Sequence, residues 1–239
     1  MLIHRALFFI FIYACSFFLY AEEVKVITIE VAPWAFQKDG EVVGIFSDIL
    51  NEVEALSGYR MKKSLTPFGF SRIYKELDSG RADCTIVIMN EKKSDNYFLG
   101  AKLFDHSMGV FLHSSLSLEV YEDLLGLTLS AHKEILFSEG FYKDKRIKKE
   151  FDSSYEIGIK KIAKKRVDGM VGAVSTINYL ASNMGLSDAL GEPMVLVKEP
   201  VHLQCSNKSK KAKVIYDINK AIETIRENGV LSAILKKYV

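Results

Sequence analysis

Residues 46–89, FSDILNEVEALSGYRMKKSLTPFGFSRIYKELDSGRADCTIVIM, decide the fold. The stretch opens with apolar residues at helical spacing. Ile49, Leu50, Val53 and Leu56 share one face, Ser47 or Asp48 can cap the start, and Gly58 ends it. RMKKSLTPF (60–68) then reads as a strand. SRIYKELDSG (71–80) is a short helix with Ser71 as cap, Ile73, Tyr74 and Leu77 inward and Gly80 as terminator. ADCTIVIM (82–89) is a second strand. Upstream, EVKVITIEV (23–31) alternates and is rich in β-branched residues, so it is a strand as well, followed by a turn at Lys38-Asp39-Gly40. The resulting order, β-α-β-α-β, predicts a parallel sheet covered by helices on both faces.

The same alternation returns downstream. MGVFLHSS (108–115) and Leu127–Ser130 read as strands. SYEIGIKKIAKKRVDGMVGAV (154–174) is a helix followed by a strand at Gly169–Val174, and STINYLASNMG (175–185) is helical. PMVLVK (193–198) and VHLQCSN (201–207) are two strands. In KAKVIYDINKAIETIRENG (211–229), Ile215, Ile218, Ile222 and Ile225 stay in helical register until Asn228-Gly229, and VLSAILKKYV (230–239) adds a short last helix. Two α/β units with no flexible linker between them predict lobes joined by strands, with a cleft and a hinge suited to a small ligand.

The first 21 residues stand apart. A short basic start ending at Arg5, an apolar run over 6–20 and the small residue Ala21 read as a secretory signal cleaved after Ala21. An uncleaved anchor is the alternative, although the apolar run is shorter than the roughly 20 residues a span needs. Lipidation at Cys15 is disfavoured because SFFLY (16–20) stays apolar. With 239 residues, 26% of them charged, and a formal net charge of +2, the chain has no nucleic-acid signature. Loss of the signal removes one arginine and no acid, leaving +1. Two cysteines then remain, Cys84 and Cys205, which in an exported protein form one disulfide or stay as two buried thiols. His106, His113, His132 and His202 lack metal-ligand spacing. There is no nucleophile elbow, no phosphate-binding glycine loop and no cofactor motif.

The order of PWAF (33–36), DGEVVGIFSDIL (39–50), FGFSRIYKELDSGRADCTI (68–86), KRVDGMV (165–171) and AIETIRENGVLSAILKKY (221–238) resembles the bacterial extracellular solute-binding family 3, the binding proteins of amino-acid ABC transporters. The most specific pieces are Gly44 with Asp48, Gly80 with Asp83, Val167-Asp168 and Asn228-Gly229. The resemblance implies a type II periplasmic-binding-protein fold: two α/β lobes, each a mostly parallel sheet flanked by helices, with the ligand cleft between. Lobe one would comprise 22–106 plus 202–239, and lobe two 107–201. Cys84 and Cys205 would then lie on neighbouring strands of lobe one. The implied protein is a periplasmic monomer without cofactor or nucleic acid, delivering a solute to an ABC permease or receptor.

The resemblance also implies site residues. Lys93 falls where members often carry an arginine that grips the ligand carboxylate, and Asn90 is a substitute for its usual hydroxyl partner. Lysine offers a point charge instead of arginine's planar fork. Phe70 resembles the aromatic that stacks on ligand, and Arg72 matches a Trp-x-Arg pattern at a helix N-terminus, with an ion pair to Glu76 as its alternative role. Trp34, the only tryptophan, follows the first strand, where ligands bind or lobes pack. Val31 replaces an aromatic, and Gly172 and Ala173 stand where an aspartate often pairs with the ligand ammonium. An anionic or aromatic solute therefore fits better than an ordinary α-amino acid. Lys92 and Lys93 as solvated loop residues remain the bland alternative. Two other functions stay open: a cyclohexadienyl-dehydratase-like enzyme, for which Glu30 is the nearest acid, and a sensory or interaction protein that has kept only the fold.

Overall fold

The computed structural model of the chain describes residues 22–67, 69–88, 96–133 and 138–238. The expected signal at 1–21 and the expected ligand contacts Asn90 and Lys93 lie outside them.

Strand β1 (Glu23–Ile29) is followed by the hairpin β2 (Phe36–Lys38) and β3 (Glu41–Val43), which turns through Asp39 and Gly40, both at positive φ. Helix α1 (Ile45–Ser57), strand β4 (Arg60–Thr66), helix α2 (Phe70–Asp78) and strand β5 (Cys84–Ile88) complete the first unit. β1 pairs in parallel with β4 and β5 on its two sides, as the alternation predicts. Both of its faces are buried, so both carry apolar side chains. Val24 and Val26 join the core under α1, while Ile27 and Ile29 join the core under α2 with Ile73, Tyr74 and Leu77.

Three local expectations are corrected. Both helices start earlier than their hydroxyl and carboxyl residues imply, with Gly44 and Gly69 at the N-cap positions, so Ser47, Asp48 and Ser71 lie within the helices. Leu56 is 52% exposed and outside the core. PMVLVK and VHLQCSN are one continuous strand.

That strand, β10 (Met194–Ser206), and the 16-residue β6 (Tyr97–Leu112) run antiparallel to each other through the middle of the molecule. The second unit follows β6: β7 (Thr128–His132), α3 (Glu139–Lys143), β8 (Lys148–Asp152), α4 (Tyr155–Ala163), β9 (Gly169–Ala173) and α5 (Val174–Asn183). The eight strands are ordered β4-β1-β5-β10-β6-β9-β7-β8. The outer three on each side are parallel to one another, and β6 and β10 are the antiparallel pair between them. β5 pairs only with 201–205 of β10, and β9 only with 108–112 of β6. Among the described residues, the stretch between is shared by β6 and β10 alone. Pro200, which cannot donate to a ladder, lies one residue beyond the last β10–β5 pair.

Separate apolar clusters cover the two halves. α1, α6 (Ala212–Glu227) and α7 (Val230–Lys236) pack on one face of the first half, bringing Phe46, Leu50, Ile218, Ile222 and Leu231 together. In the second half Ile159, Ile162, Met170 and Ile177 form one cluster, and Leu112, Leu124, Leu129 and Phe141 another. The C-terminal helices return to the first half, so this half is built from both ends of the chain. Cys84 and Cys205 face each other across the β5–β10 ladder and form a buried disulfide, with their Cα atoms 4.0 Å apart. The open alternative of two free thiols is thereby resolved.

Candidate functional site

In open parallel sheets, ligands sit beyond the carboxyl ends of the strands. At that end of the first half the chain leaves β1 and folds back on itself. Val31 and Ala35 exchange backbone hydrogen bonds, and the Ala32–Pro33 peptide is cis. The carbonyls of Pro33 and Trp34 then accept from Ile45 N–H (3.0 Å) and Phe46 N–H (2.8 Å). Two of the otherwise orphaned amides of the helix start are thus satisfied by the loop. Gly44 makes this possible: its φ is +109°, and a Cβ there would lie 2.6 Å from the Pro33 oxygen and 2.8 Å from the Trp34 oxygen.

The loop places Trp34. Its ring packs against Phe46 (6.0 Å between centroids) and Phe104 (5.7 Å), and its indole N–H donates to Thr28 Oγ1 at 2.8 Å. Thr28 is fully buried and its hydroxyl in turn donates to the Ile86 carbonyl. Trp34 is half-buried and joins both apolar clusters of the first half. Its N–H is committed inside the protein, so it has only ring surface to offer a ligand.

Arg72 occupies the first turn of α2, and Phe70 begins that helix. Phe70 is half-buried against Ile73 and Tyr74 in the smaller cluster. Arg72 is exposed. The expected alternative for it, an ion pair with Glu76, is corrected. Glu76 is held by Arg81 through two bonds, 2.6 Å from Nε and 2.9 Å from Nη2. That hydrogen-bonded guanidinium keeps the Glu76 carboxyl below the usual carboxylate range. The Arg72 guanidinium has no hydrogen bond or ion pair among the described residues. No side chain caps the helix at Gly69. Three residues earlier, the Thr66 hydroxyl is 2% exposed and has no partner among the described residues. Such a buried hydroxyl calls for an explanation, a ligand or water being the usual one. Glu30, the acid considered for catalysis, is exposed, and its backbone N–H donates to Thr66.

The second half contributes different chemistry. Tyr155, at the start of α4, packs so close to β9 that a Cβ on Gly172 would be 2.1 Å from its ring. Its hydroxyl accepts from the Ala173 N–H at 3.1 Å, and burial pushes the phenol upward from its ordinary value. His132, at the end of β7, packs on the Tyr155 ring at 5.5 Å. Gly172 and Ala173 therefore serve to seat a tyrosine. Nearby, Ser130 donates to Asp152 (2.7 Å), and Lys161 bridges Asp152 and Glu150. Phe36 of the β2–β3 hairpin meets Tyr179 of α5 at 6.3 Å, an aromatic contact between the two halves.

Sequence reasoning selected Trp34, Phe70 and Arg72 but missed Thr28, Thr66, Phe36, Tyr155 and Tyr179. A signal existed for Phe36, which precedes an Asp-Gly turn. Pairing Tyr155 with a glycine 17 residues on needs the fold. Among the described residues no cluster of His, Cys, Asp and Glu could hold a metal ion, and no helix is long and apolar enough to cross a membrane.

Comparison with known proteins agrees with this architecture. The family described as bacterial extracellular solute-binding proteins, family 3, matches residues 24–239. A Bacillus subtilis (strain 168) protein described as probable amino-acid-binding protein YxeM is 24% identical over 215 residues, covering 86% of this chain and 79% of that one. Substrate-binding domain 2 of Lactococcus lactis GlnP, in its open conformation, superposes with a TM-score of 0.71 at 19% identity, over 91% of this chain and 95% of that one. The second Venus-flytrap domain of Bordetella pertussis BvgS also gives 0.71, at 17% identity, over 91% and 93%. At such identities the two structures speak to the fold alone, which is the two-lobed type II arrangement.

Proposed function

Since the chain belongs to the bacterial extracellular solute-binding proteins of family 3, we propose that it captures a small, amino-acid-like solute bearing an anionic group between its lobes. The lobes are residues 22–106 with 202–239, and 107–201. The closed form is presented to a membrane importer or receptor, and the chain is exported by a signal that is cleaved after Ala21. The work is differential binding to the closed state and needs no covalent chemistry.

The observation that carries this reading is the release of Arg72 from Glu76. An arginine held by its own helix neighbour would be spent; this one stands exposed at an uncapped helix start, where backbone amides also favour an anion. The orphaned Thr66 hydroxyl close by adds a polar group in need of a partner. Phe70, Trp34, Asn90 and Lys93 complete the proposed contacts, with Trp34 acting through its ring. Glu30, the acid considered for the enzymatic alternative, is exposed, which weighs against it as a buried general acid.

The test is titration calorimetry with amino acids, dicarboxylates and aromatic acids. Arg72→Ala should weaken the best ligand roughly 10–100-fold, the value of a charge-assisted hydrogen bond or two. Arg81→Ala should also weaken binding, because it frees Glu76 to engage Arg72. Equal affinity in Arg72→Ala and the parent protein would remove Arg72 from the site.

A further inference from the structure

Residues 143–166 carry ten Lys and Arg against four Asp and Glu, a net +6, in a chain whose total is +2. All other residues together are therefore at −4. Strand β8, helix α4 and their flanking turns hold this charge, and the fold gathers much of it at one end. Lys148 is the register partner of Thr128, the first residue of β7. Gly126 N–H donates to the Arg146 carbonyl, and Lys148 N–H to Leu127. Thr128 is also bonded to Asp168, through its carbonyl to the Asp168 N–H and through its N–H to the Asp168 carboxylate. Segments 145–148 and 164–166 thus flank the same residue, at the end of the strands opposite the candidate ligand site.

Four of the cations have partners. Lys143 pairs with Glu139, Arg146 with Asp144, Lys161 with Asp152 and Glu150, and Lys149 reaches the carbonyls of Asp144 and Ile147. Lys145, Lys148, Lys160, Lys164, Lys165 and Arg166 are exposed, with no side-chain hydrogen bond or ion pair among the described residues. The acids nearby are mostly engaged. Asp168 is bonded to Thr128, and Asp123 accepts the Glu119 and Val120 amides, while Glu122 faces Arg146.

Lys165 is an independent sign. It has φ +53° just past α4, its N–H bonded to the Ile162 carbonyl and that of Arg166 to Lys161. This left-handed helix exit normally takes glycine, as at Gly58, Gly185 and Gly229 after α1, α5 and α6. Here a lysine is kept against the steric preference, on a surface already crowded with positive charge.

We propose that this basic end of the second half is a docking surface for an anionic phospholipid bilayer. Lysines are flexible point charges suited to many diffuse anions rather than to one shaped partner. The exposed apolar residues of the segment, Phe151 and Ile157, lie toward the opposite ends of β8 and α4, and beside the tip Val120 is a single exposed apolar side chain, so the tip lacks the contiguous apolar centre of a protein interface. Each such cation near an anionic surface strengthens attraction within a Debye length.

The test is co-sedimentation of residues 22–239, which hold every described element, with vesicles. One set is pure phosphatidylcholine and the other contains one-third phosphatidylglycerol. Binding to the second only, lost at 0.5 M salt, is expected. The triple variant Lys145→Glu, Lys148→Glu, Lys165→Glu should bind more than tenfold more weakly. The charge-matched triple Lys75→Glu, Lys220→Glu, Lys236→Glu, at exposed positions of the first half, should bind far better than the tip variant. Equal binding to both vesicle types, equal loss in both variants, or retention on an immobilised polyanion without vesicle binding would overturn the proposal.

Discussion

Replacing Gly44 by alanine tests how the first half builds its candidate site. The glycine sits at φ +109°, ψ −174°, a region essentially closed to other residues, which costs of order 1–3 kcal/mol. The added Cβ would meet two backbone oxygens at 2.6 and 2.8 Å, and neither belongs to a flexible side chain. Relief requires moving the Pro33 and Trp34 carbonyls, which breaks or lengthens their bonds to Ile45 and Phe46 N–H. At about 1 kcal/mol for each bond, the total loss is roughly 3–5 kcal/mol. Gly40 is the control: it is also at positive φ, but nothing lies within 4 Å of its Cβ position, so alanine there should cost about 1 kcal/mol. Urea denaturation supplies the free energies. The emission of Trp34, the only tryptophan, reports whether its contact with Phe46 and Phe104 has changed. If Gly44→Ala costs no more than Gly40→Ala and leaves the emission unchanged, the loop is not held as argued.

Other perturbations have equally definite outcomes. The disulfide closes a sequence separation of 121, for which loop-closure entropy gives up to about 5 kcal/mol, so the double variant Cys84→Ala, Cys205→Ala should unfold at markedly lower urea with both halves of the sheet still forming. A loss below about 1 kcal/mol would refute this. His106, on β6 opposite Glu199 of β10, is pushed down to about 4 by burial. The unfolded chain takes up this proton near pH 6.5 and the folded chain only near 4. Stability should therefore decline as pH falls through that window, by at most about 3 kcal/mol because the ring keeps some solvent contact. His106→Gln should flatten the urea midpoint's dependence between pH 7 and 4.5, and an unchanged slope would assign the acid sensitivity elsewhere.

The first unit was legible because its strands and helices alternate in period without ambiguity, and its central strand is buried on both faces. The helix starts differ from the expected ones, and at α1 the reason is visible. Ser47, Asp48 and Ser71 have the side chains of caps, but the loop carbonyls of Pro33 and Trp34 satisfy the α1 amides instead, a long-range effect invisible locally. β10 reads as two strands because Pro200 interrupts its apolar run. Among the described residues the break lies one residue beyond the β10–β5 ladder, which runs from Val201 to Cys205. β8 is not legible because its sequence, KKEFD, is mostly charged and its one apolar residue, Phe151, is exposed. At the site, single residues could be chosen by resemblance, but partner choice could not. Arg81 outcompetes Arg72 for Glu76 through the turn after α2, and Tyr155 finds Gly172 through sheet packing.

The central claim, that a small solute is held between the lobes, is tested most directly by thermal unfolding of ligand-stripped protein against amino acids and small carboxylates. A ligand at 100 times its dissociation constant adds about 2.7 kcal/mol, which for a chain of this size raises Tm by roughly 5–10 °C. A saturable rise of that size with an anionic, amino-acid-like compound, cut to about half or less in Arg72→Ala, is the result expected. A flat response across the whole panel from a folded protein would contradict it.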